Sequence, residues 1–315
     1  MTTALALIVL PSFVHASPIE IRLAEIEAAS KGKLGAAVLM ATGSHYSRKN
    51  ERFSLQSVMK MVVAMAALSE VDKGKWKRDM KFTFSRSDLS VNPQPIKDRL
   101  GKNKSVRISL ADCIELMATR SCNGSADFII RKLGGTTALN EFLKRHKIQG
   151  MSVDRQESEL QTNIVGLTWR PEFVDARELE SAINKQSRSA LDEAYKRYQA
   201  DPRDTTTPQA MGLLLEKLVT GKLLSPASTT YLLGVMGRTS TGPDRLKAGV
   251  PSGWKLMHKT GTSSSHRGVT CATNDVGIAR NAAGEWVVIV AMLRNSTLKP
   301  DERANVLCQV ARAAF

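Results

Sequence analysis

The sequence has few aromatic residues and no apolar run long enough to cross a membrane. Aromatic residues make up 5% of the 315 positions, and the longest apolar run, Ala4 to Val14, falls short of the ~20 residues that span a bilayer. We therefore expect no membrane anchor. The remaining composition, 42% hydrophobic and 24% charged, is that of a globular protein with one large domain or two smaller ones.

Metal-ligand spacings are missing as well. The five histidines form no H-E-x-x-H motif, and no cysteine belongs to a C-x-x-C pair. We therefore expect no metal ion. The even number of cysteines is compatible with disulfides in an exported protein, but the sequence leaves their pairing open. These cysteines are Cys113, Cys122, Cys271 and Cys308.

Positive charge is in surplus, with 45 Lys and Arg against 30 Asp and Glu. The surplus is densest over residues 71–110, which hold 11 basic and 4 acidic residues. Such a surplus can neutralise phosphates, but base-stacking aromatics hardly interleave with it, and no nucleic-acid-binding motif is present. We interpret the segment as a solvated surface and expect no nucleic-acid partner.

The N-terminus has the pattern of a secretory signal. The apolar run is followed by Val14-His15-Ala16, so we predict a signal peptide over residues 1–16, cleavage after Ala16 and a periplasmic protein. No Lys or Arg precedes the run, which departs from the usual pattern, and a buried N-terminal strand is the alternative. We expect the mature protein to be a monomer.

Apolar spacing predicts strands towards the ends of the chain and helices in the middle. Strands or extended segments are expected at Leu34–Met40, Tyr46–Phe53, Gly253–His258 and Glu285–Leu293. Helices are expected at Ile19–Ser30, Val58–Leu68, Leu110–Thr119, Ser125–Leu133, Thr137–Lys147, Gln209–Thr220 and Asp301–Ala314. This order predicts an α+β fold in which residues 17–56 and 208–315 form a sheet domain and residues 57–207 an inserted helical domain.

A serine lies one helical turn before a lysine at the start of the most apolar predicted helix. At this spacing Ser57 and Lys60 share one helix face, so the lysine amine can approach the serine hydroxyl and activate it as a nucleophile. The positive end of the helix dipole favours the developing alkoxide. The spacing alone is unspecific, because Ser30 and Lys33 repeat it by chance.

Two further polar groups are ambiguous when taken singly. Ser121-Cys122-Asn123 lies between two predicted helices, where a hydroxyl and an amide can relay a proton and orient a substrate, although such residues are also ordinary helix caps. Lys259-Thr260-Gly261 follows a predicted strand, where the lysine can hold an anion and the glycine lets substrate approach the backbone. Alone, this second group would be a surface turn.

The three groups, in this order, resemble the penicillin-recognising serine enzymes, and among them the class A β-lactamases. The longest matching segment, Thr241–Trp254, leads into Lys259–Thr262, and Asn123–Gly135 matches the helix that follows the family's S-D-N loop. The resemblance extends from about residue 20 to the C-terminus. It implies an antiparallel sheet domain, an all-helical domain and an active site between them.

The resemblance implies a role for each residue of the candidate site. Ser57 is the implied nucleophile, Ser121 passes a proton to the departing nitrogen, and the backbone N–H groups of Ser57 and Thr262 form an oxyanion hole. Lys60 shares the general-base work with a glutamate. The implied substrate-binding residues are Asn123, Gln161, Lys259, Thr260, Gly261 and Arg245.

Residues 154–161 match the first half of the family's omega loop, and Glu157 falls at the position of its catalytic glutamate. A carboxylate there can deprotonate a water beside the acyl-serine ester, which is the step that separates a hydrolase from a trapped acyl-enzyme. Gln161 stands where the family usually has Asn, and its amide can help to hold that water. Without the family context, Glu157 would be interpreted as a solvated acid in a polar loop.

Two departures from the family pattern affect these expectations. Arg155 and Asp204, the implied ion pair that closes the loop, are 49 positions apart, so that about residues 162–200 are an insertion that can displace Glu157. Within it, residues 176–198 have helical character. Cys122 replaces the Asp of S-D-N, and a thiol is a poor substitute for a carboxylate that accepts backbone hydrogen bonds.

The implied function is that of a β-lactamase, which hydrolyses the amide of a small β-lactam through an acyl-enzyme on Ser57 and thereby confers antibiotic resistance. The resemblance implies that no cofactor is required. Two alternatives stay open. A D-alanyl-D-alanine peptidase or another penicillin-binding protein would share these groups except Glu157. A catalytically silent protein of the same fold would use the inserted segment to bind cell-wall or protein partners.

Overall fold

Both ends of the chain contribute strands to one sheet. The computed structural model describes residues 16–315. Its strands are β1 (Lys33–Met40), β2 (Gly43–Ser47), β3 (Phe53–Ser54), β4 (Lys81–Ser85), β5 (Ser105–Ser109), β6 (Thr205–Thr206), β7 (Trp254–Thr262), β8 (Ser265–His266), β9 (Val269–Asn281) and β10 (Trp286–Ser296). The large sheet has the order β2-β1-β10-β9-β7, β8 pairs with β9, and all of these pairs are antiparallel. The predicted α+β fold with an antiparallel sheet built from both ends is confirmed.

Helices cover both faces of this sheet and fill the middle of the chain. They are α1 (Pro18–Ala29), α2 (Met59–Asp72), α3 (Ile96–Leu100), α4 (Leu110–Thr119), α5 (Asn123–Leu133), α6 (Thr136–Arg145), α7 (Glu157–Ile164), α8 (Ala176–Asn184), α9 (Arg188–Ala200), α10 (Pro208–Val219), α11 (Pro226–Met236), α12 (Leu246–Gly249) and α13 (Pro300–Arg312). Short 3-10 turns lie at Gln56–Val58, Arg86–Asp88 and Pro171–Val174.

Strand β1 separates two apolar cores. Leu34, Ala36 and Val38 belong to the core that α1 and α13 close, whereas Ala37 and Leu39 belong to the larger core shared with the helices of the middle segment. Successive side chains of a strand point to opposite faces, so an unbroken apolar run serves both cores. This is why the segment is apolar throughout rather than alternating.

Helix α2 runs through the larger core and positions Ser57, the predicted nucleophile. Every residue from Met59 to Ser69 is buried, and the helix packs against α4, α5, α6 and α11. A helix without a polar face requires such surroundings. The 3-10 turn that precedes α2 contacts β7 and β9, so Ser57 lies where the helices meet the sheet.

The ends of several predicted elements shift, and one prediction is wrong. Helix α5 begins two residues earlier than predicted, because Cys122 caps it. The extended segment predicted over residues 46–53 is interrupted, since β2 ends at Ser47 and Arg48 adopts a left-handed φ of 47° before β3 begins. The helical stretch predicted over residues 176–198 forms two helices, α8 and α9, separated at residues 185–187.

The predicted signal peptide lies outside the described residues except for Ala16, and its cleavage and the periplasmic location stay predictions. Between residues 16 and 315, no helix is long and apolar enough to cross a membrane. All four cysteines fall in this described part of the chain, where each is a buried free thiol.

Candidate active site

Ser57 and Lys60, one helical turn apart, meet Glu157 from a distant part of the sequence at the start of α2. The ammonium of Lys60 donates a hydrogen bond to Ser57 Oγ at 2.5 Å, and Ser57 Oγ donates to Glu157 Oε1 at 3.2 Å. Lys60 also forms an ion pair with Glu157, and both of these side chains are fully buried. Ser57 remains partly exposed. The site therefore presents one accessible nucleophile against a buried cation and a buried carboxylate.

The charge of Lys60 keeps Glu157 ionised, so its carboxylate can accept a proton. Burial acts to raise the pKa of Glu157, but the charge and hydrogen bond of Lys60 outweigh it and lower the pKa below its usual range. Gln161 Nε2 donates a further hydrogen bond to Glu157 Oε2 at 3.0 Å. An ionised carboxylate beside a serine hydroxyl has the geometry of a general base.

Asp127 on α5 holds the backbone that carries Glu157, and sequence reasoning missed it. Its Oδ1 accepts the backbone N–H of Glu157 at 2.6 Å, and its Oδ2 accepts the N–H of Ser158 at 3.0 Å and the hydroxyl of Ser90 at 2.7 Å. Burial raises the pKa of Asp127, and the Ser90 hydroxyl opposes that rise. The available signal was an acid inside an otherwise apolar stretch of a predicted helix, next to Ala126 and Phe128.

The enlarged loop does not carry Glu157 away from Ser57. Arg155 Nε and Asp204 Oδ2 lie 2.6 Å apart, so the implied ion pair is present despite the insertion. Asp204 Oδ1 also accepts the backbone N–H groups of Asp154 at 2.6 Å and Arg155 at 2.9 Å. A second acid, Asp201, lies 3.1 Å from the guanidinium of Arg155. The ion pair therefore holds together the two ends of the enlarged loop, between which the inserted residues lie.

Cys122 acts as a helix cap. Its Sγ accepts the backbone N–H of Ser125 at 3.4 Å and the Ser125 hydroxyl at 3.2 Å. The thiol therefore caps the first turn of α5, and the expectation that it is a poor substitute for a carboxylate stays a prediction. The carboxylate that binds backbone N–H groups in this region belongs to Asp127, farther along the same helix.

Lys259 on β7 reaches the loop of the second predicted group. Its Nζ donates to Ser121 Oγ at 3.1 Å and to the backbone oxygen of Thr260 at 2.8 Å. The side chain of Lys259 is fully buried, and this burial, followed by the nearby charge of Lys60, lowers its pKa to about 7. Lys259 therefore contacts Ser121 directly and is influenced by the charge of Lys60, so the three predicted groups lie in one site.

The end of β7 is braced by polar side chains on both sides. Thr260 and Thr241 join their hydroxyls at 2.6 Å, and Arg245 donates to Thr262 Oγ1 at 2.8 Å. Arg245 also donates to the backbone oxygen of Asn274 at 3.0 Å. Arg245 thus lies beside the strand end on which Thr262 is exposed.

Gly261 is required by packing of the protein against itself. A Cβ atom there would lie 2.8 Å from the backbone oxygen of Leu55 and 3.2 Å from the backbone nitrogen of Val58. Asn274 Nδ2 holds the same segment by donating to the backbone oxygens of Ser54 at 2.7 Å and Leu55 at 3.2 Å. The segment around Ser57 therefore occupies the side of Gly261 on which a side chain would lie, and the role of this glycine in the approach of substrate stays a prediction.

Asn123 begins α5 with an incomplete set of hydrogen bonds. Its backbone N–H donates to the oxygen of Pro93 at 2.7 Å, and its Nδ2 donates to the backbone oxygen of Asn92 at 3.0 Å. Its Oδ1 is buried and has no partner in the described part of the chain. A buried amide oxygen without a donor is costly unless a ligand completes it.

Within residues 16–315, no group of three or more His, Cys, Asp and Glu side chains is arranged to hold a metal ion. The chemistry described for this site rests on serine, lysine and carboxylate groups.

Comparison with known proteins identifies the family. A family model described as the β-lactamase enzyme family matches residues 18–315, so the chain belongs to that family. The β-lactamase VEB-1 of Pseudomonas aeruginosa is 24% identical over 300 residues, which cover 94% of this chain and 88% of that protein. The β-lactamase L2 of Stenotrophomonas maltophilia is 28% identical over 295 residues, covering 92% and 83%.

Solved structures agree with this assignment. A β-lactamase from Chitinophaga pinensis superposes with a TM-score of 0.77 at 25% identity, covering 94% of this chain and 98% of that one. An ancestral class A β-lactamase superposes with a TM-score of 0.74 at 31% identity, with the same coverage of 94% and 98%. The predicted resemblance to the class A enzymes is confirmed.

Proposed function

We propose that this protein hydrolyses β-lactams through a covalent acyl-enzyme on Ser57. The observation that carries the proposal is the contact of Ser57 Oγ with both Lys60 Nζ and Glu157 Oε1. A nucleophile activated by an adjacent base is the requirement for acyl transfer. The family assignment and the class A relatives support the same chemistry.

In the acylation step, Ser57 Oγ forms a bond to the lactam carbonyl carbon while its proton moves to Glu157. The ammonium of Lys60, 2.5 Å from Ser57 Oγ, stabilises the developing negative charge on that oxygen. The lactam C–N bond then breaks, and the nitrogen takes a proton from Ser121. The proton that Glu157 took from Ser57 is relayed within the site to Ser121, so Ser121 is protonated and Glu157 is ionised again.

In the deacylation step, a water attacks the ester carbon and gives its proton to Glu157. The ester C–O bond breaks, and this proton returns to Ser57 Oγ. In both steps the oxyanion is bound by the backbone N–H groups of Ser57 and Thr262, where loss of one donor costs about 10²- to 10³-fold in rate. No cofactor takes part in this sequence.

Substrate binding follows from the polar groups on the two sides of the cleft. Lys259, Thr260 and Arg245 bind the carboxylate of the β-lactam, since a cation and a hydroxyl face the same strand end. Asn123 binds the acylamide side chain, for which its unpartnered Oδ1 is a free acceptor. Gln161 orients Glu157 and the attacking water.

We further propose that the protein is an exported monomer. Secretion into the periplasm would place the enzyme where β-lactams reach the cell-wall enzymes, and the protein would then act in antibiotic resistance. The proximity of Glu157 to Ser57 favours this function over a peptidase, which lacks a base for rapid deacylation.

The test is turnover of a penicillin, a chromogenic cephalosporin and a carbapenem by the wild type, Ser57→Ala and Glu157→Gln. We expect rapid hydrolysis by the wild type and no covalent label on Ser57→Ala. On Glu157→Gln we expect slower acylation, because Lys60, no longer paired with a carboxylate, is the remaining base beside Ser57. The acyl-enzyme of this variant should then be stable and detectable by mass spectrometry of the intact protein. Slow turnover by the wild type, matched by Glu157→Gln, would assign the protein to the penicillin-binding proteins. A wild type that takes no label would assign it to the silent binding proteins.

A further inference from the structure

The inserted segment reaches the active site through one buried tyrosine of α9. Tyr198 is 7% exposed, and its phenol oxygen lies 2.6 Å from Ser54 Oγ, on the segment just before the nucleophile. The same oxygen accepts a hydrogen bond from Gln56 Nε2. Gln56 is the residue directly before Ser57 and is fully buried.

A continuous series of hydrogen bonds runs from this tyrosine to the catalytic carboxylate. Gln56 Oε1 accepts from Gln161 Nε2 at 3.1 Å, and the same Gln161 nitrogen donates to Glu157 Oε2 at 3.0 Å. A side-chain amide nitrogen carries two hydrogens, so it can make both bonds at once. Tyr198, Gln56, Gln161 and Glu157 therefore form a single connected series.

The series has a direction when the Tyr198 hydroxyl donates to Ser54 Oγ, because the phenol oxygen then only accepts from Gln56 Nε2. Because the Gln56 amide nitrogen is engaged by Tyr198, its oxygen must face Gln161. An amide oxygen can only accept a hydrogen bond, so Gln161 must present its amide nitrogen to Gln56 Oε1. The same nitrogen then also donates to Glu157 Oε2. Burial raises the pKa of Tyr198, so the phenol keeps its proton and can donate to Ser54.

We propose that Tyr198 is a positioning residue for deacylation: it fixes the orientation of the Gln56 and Gln161 amides so that Glu157 receives an N–H donor. This rests on the proposed function. Without the phenol, the Gln56 amide can rotate and present its nitrogen to Gln161, which then turns its oxygen towards the carboxylate. Two oxygens facing each other displace Glu157 and raise its affinity for a proton.

Deacylation depends on this support more than acylation does. In the free enzyme, Glu157 is held by Ser57, Lys60 and Gln161. Once Ser57 has become an ester, its hydroxyl hydrogen is gone, and Lys60 and Gln161 remain as the side-chain donors to the carboxylate. A disturbed Gln161 therefore acts mainly on the step in which water is activated.

The same helix offers a matched control. Tyr195 is also 7% exposed, and its hydroxyl lies 2.7 Å from Ser264 Oγ, while its ring stacks on His266 at 4.4 Å between centroids. It anchors α9 to the turn after β7 but is not part of the series that ends at Glu157. Replacement of either tyrosine by phenylalanine removes one buried hydroxyl from one helix.

The experiment measures acylation and deacylation separately for the wild type, Tyr198→Phe and Tyr195→Phe, with a chromogenic cephalosporin and mass spectrometry of the intact protein. We expect deacylation by Tyr198→Phe to slow about 10-fold, as for the loss of one well-placed hydrogen bond. In Tyr198→Phe, acyl-enzyme should accumulate and kcat and KM should fall together. The ratio kcat/KM should stay within about twofold of the wild-type value. The acid limb of the kcat profile moves to higher pH, because Glu157 loses a donor that lowers its pKa.

Tyr195→Phe should keep the wild-type ratio of the two rates and the wild-type pH profile. Gln56→Leu should reproduce the defect of Tyr198→Phe, and the double variant should add little to either. Wild-type turnover with unchanged deacylation in Tyr198→Phe, or equal defects in both tyrosine variants, would overturn this inference alone. A wild type that takes no β-lactam label would overturn the proposed function and this inference with it.

Discussion

The carboxylate of Asp127 accepts the backbone N–H of Glu157 at 2.6 Å, although 30 positions separate the two residues. Its second oxygen accepts the next N–H, that of Ser158. The position of the general base is therefore fixed by the helical core on one side and by the ion pair of Arg155 and Asp204 on the other. This explains how a long insertion is accommodated without displacing Glu157.

Asp127→Asn tests this arrangement with almost no change in shape. An amide offers one oxygen, so one of the two backbone N–H groups would face a donor instead of an acceptor. We expect the free energy of unfolding to fall by about 1–3 kcal/mol, the cost of an unsatisfied buried polar group. Urea denaturation and the rate of acyl-enzyme hydrolysis would report the two effects, and hydrolysis should slow about 10-fold or more.

The control for that variant is Ser90→Ala, which removes the third hydrogen bond to Asp127 and leaves both backbone bonds intact. It should destabilise the protein by about 1 kcal/mol and keep wild-type turnover. Wild-type stability in Asp127→Asn would show that the carboxylate does not need two accepting oxygens.

Gly261→Ala tests the close approach of β7 to the segment that carries the nucleophile. The added Cβ would meet the backbone oxygen of Leu55 at 2.8 Å, and backbone atoms cannot move aside as a side chain can. We expect the N–H groups of Ser57 and Thr262 to separate and kcat/KM to fall about 10²-fold, as for a displacement of about 1 Å.

Gly234→Ala serves as the comparison for the glycine variant. The nearest atom to a Cβ there is the tip of Arg238, at 3.9 Å, and the residue lies within α11. Activity should be unchanged and thermal stability slightly raised, since alanine favours a helix. Full activity in Gly261→Ala would contradict the packing argument.

The lowered pKa of Lys259, about 7, predicts a pH dependence of substrate binding. Below this pKa the side chain is a cation that, in its proposed role, attracts the substrate carboxylate, and above it the side chain is neutral. We expect KM to rise with pH above 7, towards about tenfold per pH unit. A penicillin and its methyl ester should be compared, because the ester lacks the carboxylate and its KM should stay flat. Parallel profiles for the two substrates would contradict the role of Lys259.

The same pKa sets the sign of a stability effect. An unfolded lysine keeps its proton up to about 10.5, whereas the folded side chain loses it near 7. Between these values the unfolded chain binds more protons, so this group makes the free energy of unfolding increase as the pH rises. Below pH 7 both states are protonated, and the cost of burying the cation is present in full.

The nucleophile and its surroundings could be predicted because their residues follow local rules. Ser57 and Lys60 share a helix turn, and an apolar helix such as α2 has to be buried. The sheet could be predicted from the two apolar runs that became β1 and β10. The order of the short motifs then indicated the family, where each motif alone had an ordinary explanation.

The supporting contacts could not be predicted, because they join residues that are distant in the sequence. An aspartate in a helix is usually solvated, and nothing local indicates that Asp127 faces the backbone of Glu157. The helical character of residues 176–198 was visible, but not that Tyr198 is buried beside Gln56. Side-chain packing between elements decides such contacts, and one sequence carries no direct record of it.

Strand β1 ends at Met40, and the partner that completes its pairing, β10, begins only at Trp286. Closing so long a loop costs chain entropy before any contact is gained, so we expect this pairing to form late in folding. Asn274, which holds the segment before Ser57, lies on β9, the strand that pairs with β10, and Lys259 lies on β7, which pairs with β9. A nascent chain that has emerged only as far as α11 carries its nucleophile and its base but has no assembled cleft. If the proposed function holds, we expect a chain that lacks these last strands to be inactive towards β-lactams.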